Sequence, residues 1–196
     1  MSTAPEVLVG FGRSVELRVA TVTITATPGP SVPLRWGTLA IADPWFAPSV
    51  PEVQQISIGQ GEQTTVLSTI ALPRDGQPEP VEVSCAAAIG AVDQVTSWQP
   101  LVHHESHFHL DCDSALGAFY DITDTAMLKP LFEDALHMQQ VYNRALVERI
   151  ATMEVDGRVA AAVFLCPDGS GLYPAYAGFD QDLQAVAVVV DLKLLP

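Results

Sequence analysis

The segment 185–192 constrains the fold more than any other part of this chain, because it is apolar on both faces. Its alternating side chains are Val186, Ala187, Val188, Val189 and Val190. Successive side chains of a strand point to opposite faces of a sheet, so such a strand has to lie at the centre of a sheet covered on both sides. We therefore expect a C-terminal hairpin at the heart of the sheet.

The hydrophobic period divides the rest of the chain into strands and one helical region. Alternating and β-branched residues predict strands at 15–27, 37–42, 53–58, 64–72, 81–88, 158–166, 175–179 and 185–192. Pro28-Gly29-Pro30 is expected to end the first of these strands, because proline cannot donate to a sheet ladder. The loop 73–78 is typical of a hairpin connection.

Between 123 and 153 the apolar residues recur at helical spacing. They are Leu131, Phe132, Ala135, Leu136, Tyr142, Ala145, Leu146 and Ile150. Pro130 fits the first position of the main helix, and Asp156-Gly157 is expected to close the helical region. The order of elements predicts an α+β fold, a mostly antiparallel sheet or sandwich with one main α-helix near 124–153, built as a single domain over 1–196.

Charge and composition exclude several classes of function. The 196 residues are 48% hydrophobic and carry a formal net charge of −14. This charge disfavours nucleic acid and anionic membrane surfaces, whereas it favours a cationic partner such as a basic protein. No apolar run reaches the length of a membrane span, the first residues lack a signal peptide, and Cys85, Cys112 and Cys166 resemble reduced core residues. We expect a soluble cytoplasmic protein, whose oligomeric state the sequence leaves open.

The densest polar cluster is the segment 103–113, which contains four of the five histidines. In an extended strand its odd-numbered residues share one face: His103, Glu105, His107, His109, Asp111 and Asp113. His107 and His109 could chelate one divalent ion such as zinc, with Glu105 or Asp111 as a third ligand. The alternative is that this face is simply the polar, solvated side of a strand, in which case no cofactor is expected.

The proline-rich loop 43–51 carries two large aromatic residues, Trp45 and Phe46. If they are exposed, they form a contact patch for a partner or ligand. The sequence favours the other arrangement, in which they fold back and cover one end of a sandwich.

Several Asp and Gly residues occupy positions typical of turns, where Asp accepts hydrogen bonds from backbone N–H groups and Gly permits positive φ. They are Asp43, Asp113, Gly117, Asp121, Gly169, Gly171, Gly178 and Asp180. Ser170 lies between two glycines whose spacing does not fit a nucleophile elbow, and no glycine-rich loop has the spacing of a phosphate-binding motif. The sequence therefore predicts a binding protein rather than an enzyme.

Four segments together resemble a bacterial family known as domain of unknown function 4241. They are Gly37-Thr-Leu-Ala-Ile-Ala-Asp43-Pro44, Ser97-Trp98, Asp113-Ser-Ala-Leu-Gly-Ala-Phe-Tyr-Asp121, and Gly169-Ser-Gly-Leu-Tyr-Pro174 with Tyr176-Ala-Gly-Phe-Asp180. The resemblance spans 37–191 and implies a small bacterial domain without an assigned activity, substrate or cofactor. Ala115, Ser170 and Ala177 stand where the family usually has Gly, Asp and Trp, and what these replacements change is left open.

Three functions are compatible with these features. The charge, the missing catalytic motif and the aromatic loop favour a non-catalytic binding or interaction protein, of an immunity-like or regulatory kind. The alternative is a metal-binding domain or metal-dependent enzyme that uses the strand face 103–113. A third function, binding of a small ligand or glycan by Trp36, Trp45 and Tyr176, has no sequence feature in its favour.

Overall fold

The computed structural model describes residues 5–9, 14–16, 21–46, 54–73, 79–103 and 106–193. The helices are α1 (Pro5–Leu8), α2 (Thr125–Glu133) and α3 (Ala135–Glu148). The strands are β1 (Ser14–Glu16), β2 (Thr21–Leu34), β3 (Thr38–Ala42), β4 (Gln54–Ser57), β5 (Gly61–Leu72), β6 (Val81–Gly90), β7 (Ser97–Pro100), β8 (Val102–His103), β9 (Ser106–His107), β10 (His109–Cys112), β11 (Leu116–Asp121), β12 (Ile150–Val155), β13 (Arg158–Leu165), β14 (Gly171–Phe179) and β15 (Ala185–Asp191).

Two antiparallel sheets organise the described part of the chain. The larger sheet has the order β1-β2-β5-β6-β15-β14-β10, with β7 also pairing with β14, and the smaller has the order β12-β13-β11-β3-β4. Strand β15 lies between β6 and β14, and its residues from Ala187 to Asp191 are buried. The expected central C-terminal hairpin and the predicted α+β fold with mostly antiparallel pairing are confirmed.

The two sheets pack face to face, and helices cover their outer faces. Val188 and Val190 of β15 share one buried cluster with Phe119 and Phe164 of the smaller sheet. On the other face of the smaller sheet, residues of β11, β12 and β13 pack against α2 and α3. On the outer face of the larger sheet, Leu8 of α1 packs in a cluster that includes Val189. The alternation of apolar residues in β15 follows directly from this layering, because each face of the strand meets a different apolar layer.

The single helix predicted near 124–153 is two shorter helices. Asp134 interrupts it, because its Oδ1 accepts the N–H groups of Leu136 and His137 and so begins α3 as an N-cap. Pro130 lies inside α2 instead of at the start of the main helix. α3 ends before Arg149, whose φ is +67°, so Ile150 begins β12.

Two further boundaries differ from the prediction. Asp156 and Gly157, with φ of +52° and +70°, form the hairpin turn between β12 and β13, a conformation typical of a type I′ turn. Strand β2 continues through Pro28-Gly29-Pro30, where its register with β5 shifts between Pro28 and Ser31. β1 pairs with β2 only at 21–23, so the prolines lie where the outer side of β2 has no partner strand among the described residues.

Gly117 and Gly178, predicted as turn residues, lie within strands. A Cβ at Gly117 would come within 2.3 Å of the Phe164 ring, and one at Gly178 within 2.6 Å of Val95. At both positions the absence of a Cβ therefore allows a neighbouring side chain to pack directly against the strand backbone. Gly171 likewise begins β14, whereas Gly169, with a φ of +79°, occupies a turn as predicted.

The remaining compositional expectations concern cysteines and membrane spans. Cys85, Cys112 and Cys166 are buried and unpaired, in agreement with the prediction of reduced core residues. Among the described helices, none has the length and apolar character needed to cross a membrane.

Candidate functional site

The histidine-rich segment is a short hairpin followed by an edge strand, not one extended strand. His103 of β8 pairs with Ser106 of β9, and Val102 pairs with His107. The N–H of Phe108 then donates to Leu101 O, which closes the hairpin before β10 begins. The predicted common face over 103–113 is therefore wrong. Glu105, the third ligand of the metal prediction, lies outside the described residues.

His107 and His109 nevertheless lie side by side. Their ring centroids are 4.8 Å apart, and the His107 ring meets the edge of Tyr176 at 5.3 Å. His107 Nε2 lies 3.1 Å from Ala175 O, and His109 Nδ1 lies 3.0 Å from His107 O. Since a carbonyl only accepts, each of these nitrogens carries the proton in the neutral ring, and His107 Nδ1 and His109 Nε2 present lone pairs.

The surroundings of His109 favour its neutral form. Burial lowers the pKa of His109, and the charges of His107 and Lys193 lower it further, against the opposing effect of its hydrogen bond to His107 O. A neutral ring with its other N–H bonded to a backbone carbonyl is the usual state of a metal-binding histidine. The two rings thus have ligand chemistry, although no group of three or more His, Cys, Asp or Glu side chains in the described ranges is arranged to hold a metal.

Beyond His109, β10 continues to an exposed carboxylate beside an exposed leucine. Asp111 is the direct partner of Leu172 in the β10–β14 ladder. Directly opposed residues of a ladder share a face, so both side chains lie on the outer side of this edge. Leu172 is 52% exposed.

A buried carboxylate joins the end of β10 to the aromatic loop. Asp43 Oδ2 accepts the N–H groups of Asp113 and Ser114, each at 2.8 Å. Asp43 Oδ1 accepts the hydroxyl of Ser114 at 2.6 Å and the N–H of Trp45 at 2.9 Å. Asp43 was predicted to stabilise turns, and the structure shows that it stabilises two of them at once.

Trp45 and Phe46 are exposed rather than folded back over the end of the sandwich. They are 39% and 42% exposed, so the preferred sequence interpretation of a hydrophobic cover is wrong. The N–H of Trp45 donates to Asp43 Oδ1 and so fixes the backbone at the start of this loop. We call the surface formed by His107, His109, Asp111, Asp113, Leu172, Trp45 and Phe46 the β10 edge surface.

The other predicted turn carboxylates have structural roles. Asp180 Oδ1 accepts the N–H groups of Asp182 and Gln184 in the turn between β14 and β15. Asp121 is fully buried and accepts four hydrogen bonds, from the hydroxyl and N–H of Thr123 and the N–H groups of Arg35 and Trp36. Burial acts to raise the pKa of Asp121, but these hydrogen bonds outweigh it and hold the pKa below its ordinary value.

The sequence analysis missed a second carboxylate, Asp124, three residues after Asp121. Its side chain is 3% exposed, and Oδ1 has no hydrogen bond; its nearest cation is Nη1 of Arg35 at 3.6 Å. Burial raises the pKa of Asp124, Arg35 and Arg158 oppose this shift, and the charge of Asp121 adds to it. An Asp-x-x-Asp sequence directly after the apolar residues of β11 was the available indication of a paired acidic site.

Comparisons of the chain with protein families, with curated proteins and with solved structures each find no match. Membership of the family of unknown function 4241 therefore stays a prediction from the motifs.

Proposed function

We propose that this chain is a non-catalytic binding protein whose β10 edge surface docks a basic segment of a partner protein. The observation that carries the proposal is the exposure of Trp45 and Phe46 directly after Asp43, whose carboxylate accepts three hydrogen bonds from Asp113 and Ser114 and one from the N–H of Trp45. Aromatic side chains that are fixed and exposed lose little conformational entropy on binding, and they are frequent anchors of protein interfaces.

The charge of the molecule defines the partner's chemistry. Asp111 and Asp113 are exposed, and the N–H of Asp113 donates to the carboxylate of Asp43, which shortly precedes the aromatic pair. The whole chain carries a net charge of −14. A carboxylate rim around an apolar centre attracts Lys- and Arg-rich partners and speeds their association at low salt. The apolar centre, Trp45, Phe46 and Leu172, supplies the contact area that charge alone does not.

The resemblance to the family of unknown function 4241 is compatible with this proposal, because that family has no assigned activity, substrate or cofactor. We place the protein in the cytoplasm of a bacterium, in an immunity-like or regulatory role. Three buried, unpaired cysteines support a reducing compartment.

The test is affinity capture at low salt from a bacterial extract with three forms of the immobilised chain. Trp45→Ala/Phe46→Ala removes the aromatic anchors. Leu136→Ala/Val147→Ala is the matched control, because Leu136 and Val147 are 70% and 81% exposed on α3, away from β10. We expect a basic protein to be retained by the wild type and the control, lost from the aromatic variant, and eluted by salt.

Retention of the same protein by the aromatic variant would contradict the proposal. So would the absence of any salt-sensitive ligand on the wild type, together with turnover of a small molecule by the purified chain. If the control variant also fails to retain the protein, the capture reflects nonspecific apolar adsorption, and this result would count against docking at β10.

A second candidate function, binding of a divalent metal such as zinc, rests on the orientation of the two imidazoles. Two imidazoles bound to one tetrahedral zinc at about 2.0–2.1 Å have ring centroids roughly 5 Å apart, by the geometry of the coordination. The centroids of His107 and His109 are 4.8 Å apart before any ion binds. His107 Nδ1 and His109 Nε2 would be the two ligand atoms, and solvent would complete the coordination.

Equilibrium dialysis against Zn²⁺ and Ni²⁺, with protein purified without a tag, tests this candidate. One ion should bind per chain, and His107→Ala/His109→Ala should abolish the binding. His137→Ala is the control, since His137 lies on α3. Equal uptake by the double variant, or no uptake by the parent, would eliminate the metal site.

A further inference from the structure

A groove between β2 and β13 lies outside the β10 edge surface and gathers two arginines. It encloses about 400 Å³ and is lined by Ser31, Pro33, Arg35, Glu62, Arg158 and Val159. That volume lies within the range of sites that bind small molecules. Two of the nine Lys and Arg side chains of a chain with a net charge of −14 meet in this one place.

The local structure explains how the groove forms. Val32 and Leu34 of β2 point into the core between the sheets, so Ser31 and Pro33 alternate to the other side of the strand. Glu62 is the ladder partner of Pro33 on β5. Arg158 begins β13 directly after the turn at Asp156-Gly157 and so reaches the groove from the opposite wall.

The two guanidinium groups differ in their partners. Arg35 is held beside the buried carboxylate of Asp124, but the 3.6 Å separation of Nη1 and Oδ1 is too long for a hydrogen bond. Arg158 is exposed and forms no hydrogen bond or ion pair with the other described residues, although its charge acts on Asp124. The residues that line the groove therefore carry two positive charges and one negative charge, and the buried carboxylate of Asp124 lies behind Arg35.

From this arrangement we propose that the groove binds the oxyanion group of a small molecule, a phosphate or a carboxylate, between Arg35 and Arg158. Guanidinium groups present paired N–H donors that match both oxyanions, and they bind them more selectively than ammonium groups do. Ser31 supplies a hydroxyl on the same wall. Glu62 faces the bound group from β5 and selects against a second negative charge on the ligand.

Titration of ¹⁵N-labelled protein with inorganic phosphate, and separately with acetate, at constant ionic strength tests the proposal. We expect saturable amide shifts confined to the neighbourhood of 31–35, 62 and 158–159. Arg158→Gln should weaken binding about tenfold, because it removes one of two charged donors, whereas Glu62→Gln should tighten it about twofold or more. Arg144→Gln removes one positive charge from α3 and should leave the affinity within about twofold of the wild type.

Arg158 is exposed and makes no hydrogen bond within the described chain, so its replacement is not expected to disturb the fold. Equal affinity in Arg158→Gln and the wild type would overturn the proposal. An equal loss in Arg144→Gln, or shifts without saturation, would also overturn it, since either result would indicate only a general response to charge. Preference for phosphate or for acetate identifies which oxyanion the groove accepts.

Discussion

The sharpest test of the β10 edge surface is the replacement of Asp43 by alanine. The carboxylate is 3% exposed and accepts four hydrogen bonds at 2.6–2.9 Å from Asp113, Ser114 and Trp45. Hydrogen bonds to a charged group contribute about 1.5 kcal/mol or more each, so four independent bonds would sum to at least roughly 6 kcal/mol. The four share one carboxylate and some donors regain water at the surface, so we expect a loss of about 3 kcal/mol in the free energy of unfolding.

Two matched variants separate this effect from the loss of one negative charge. Asp43→Asn keeps one acceptor oxygen and should lose about half as much stability as Asp43→Ala. Asp180→Ala removes a carboxylate that accepts two N–H groups in an exposed turn, and should cost about 0.5–1 kcal/mol. Urea unfolding followed by circular dichroism measures all three variants.

The local consequence is visible by ¹⁹F NMR of protein labelled with 5-fluorotryptophan. Of its three resonances, only that of Trp45 should shift or broaden in Asp43→Ala, because the N–H of Trp45 donates to Asp43, whereas the N–H of Trp36 donates to Asp121 and Trp98 packs in the cluster on the outer face of the larger sheet. A loss below about 1 kcal/mol together with an unchanged Trp45 resonance would refute the view that Asp43 holds the aromatic loop outward.

Three further predictions concern ionisation. The pKa of Asp121 is lowered in the fold, so its contribution to stability is present at a pH above its unfolded-state pKa and is lost as pH falls. The pKa of Asp124 is raised in the fold, so its contribution to stability is present at low pH and is lost as pH rises. Urea unfolding should therefore show Asp121→Asn losing stability relative to the wild type as pH rises to about 4, and Asp124→Asn gaining stability relative to the wild type as pH rises above about 4. A change of the same sign in both variants would contradict the assignment. By NMR, the His109 imidazole should titrate with a midpoint below about pH 6.5, and the free energy of unfolding should decrease as pH falls through this midpoint. A titration midpoint at the ordinary value of a histidine would contradict the burial of His109. Burial raises the pKa of Cys85 to about 12, and the hydrogen bond with Cys112, together with burial, raises the pKa of Cys166 well above its usual range. Neither thiol should therefore react with a disulfide reagent until the protein unfolds, and rapid reaction in the native state would contradict their placement in the core.

The sequence predicted the strands better than the connections between them. The apolar alternation at 185–192 was sufficient to place β15 at the centre of its sheet, because burial on both faces admits few other positions. The prediction of one continuous helix was wrong at Asp134, because its side chain caps a new helix there although the apolar spacing continues across this position. At Pro28-Gly29-Pro30 a general rule about proline failed because the strand has an open side there.

The candidate site was predictable by residue type but not by arrangement. The histidines and the aromatic loop were each identified from local sequence, yet they are about sixty residues apart in the chain. The start of the aromatic loop is joined to the end of β10 by hydrogen bonds that Asp113 and Ser114 donate to Asp43, about seventy residues earlier in the chain. Local patterns contain no information about such a contact. The cavity between Arg35 and Arg158 was missed for the same reason, since its walls come from two different sheets.

The structural and functional interpretations of the Asp-rich turns are therefore not alternatives. Asp43 behaves as a turn residue in every bond its carboxylate makes, and those same bonds join the end of β10 to the backbone that carries two exposed aromatic residues. Asp121 in the same way bonds the backbone of Arg35 and so positions the guanidinium that reaches both Asp124 and the groove at β13. In each case a buried carboxylate at the end of a strand positions residues of a surface to which its own side chain does not belong. Substitution of either Asp should consequently weaken binding at a site whose own residues are all intact, and that effect would separate a positioning role from direct contact.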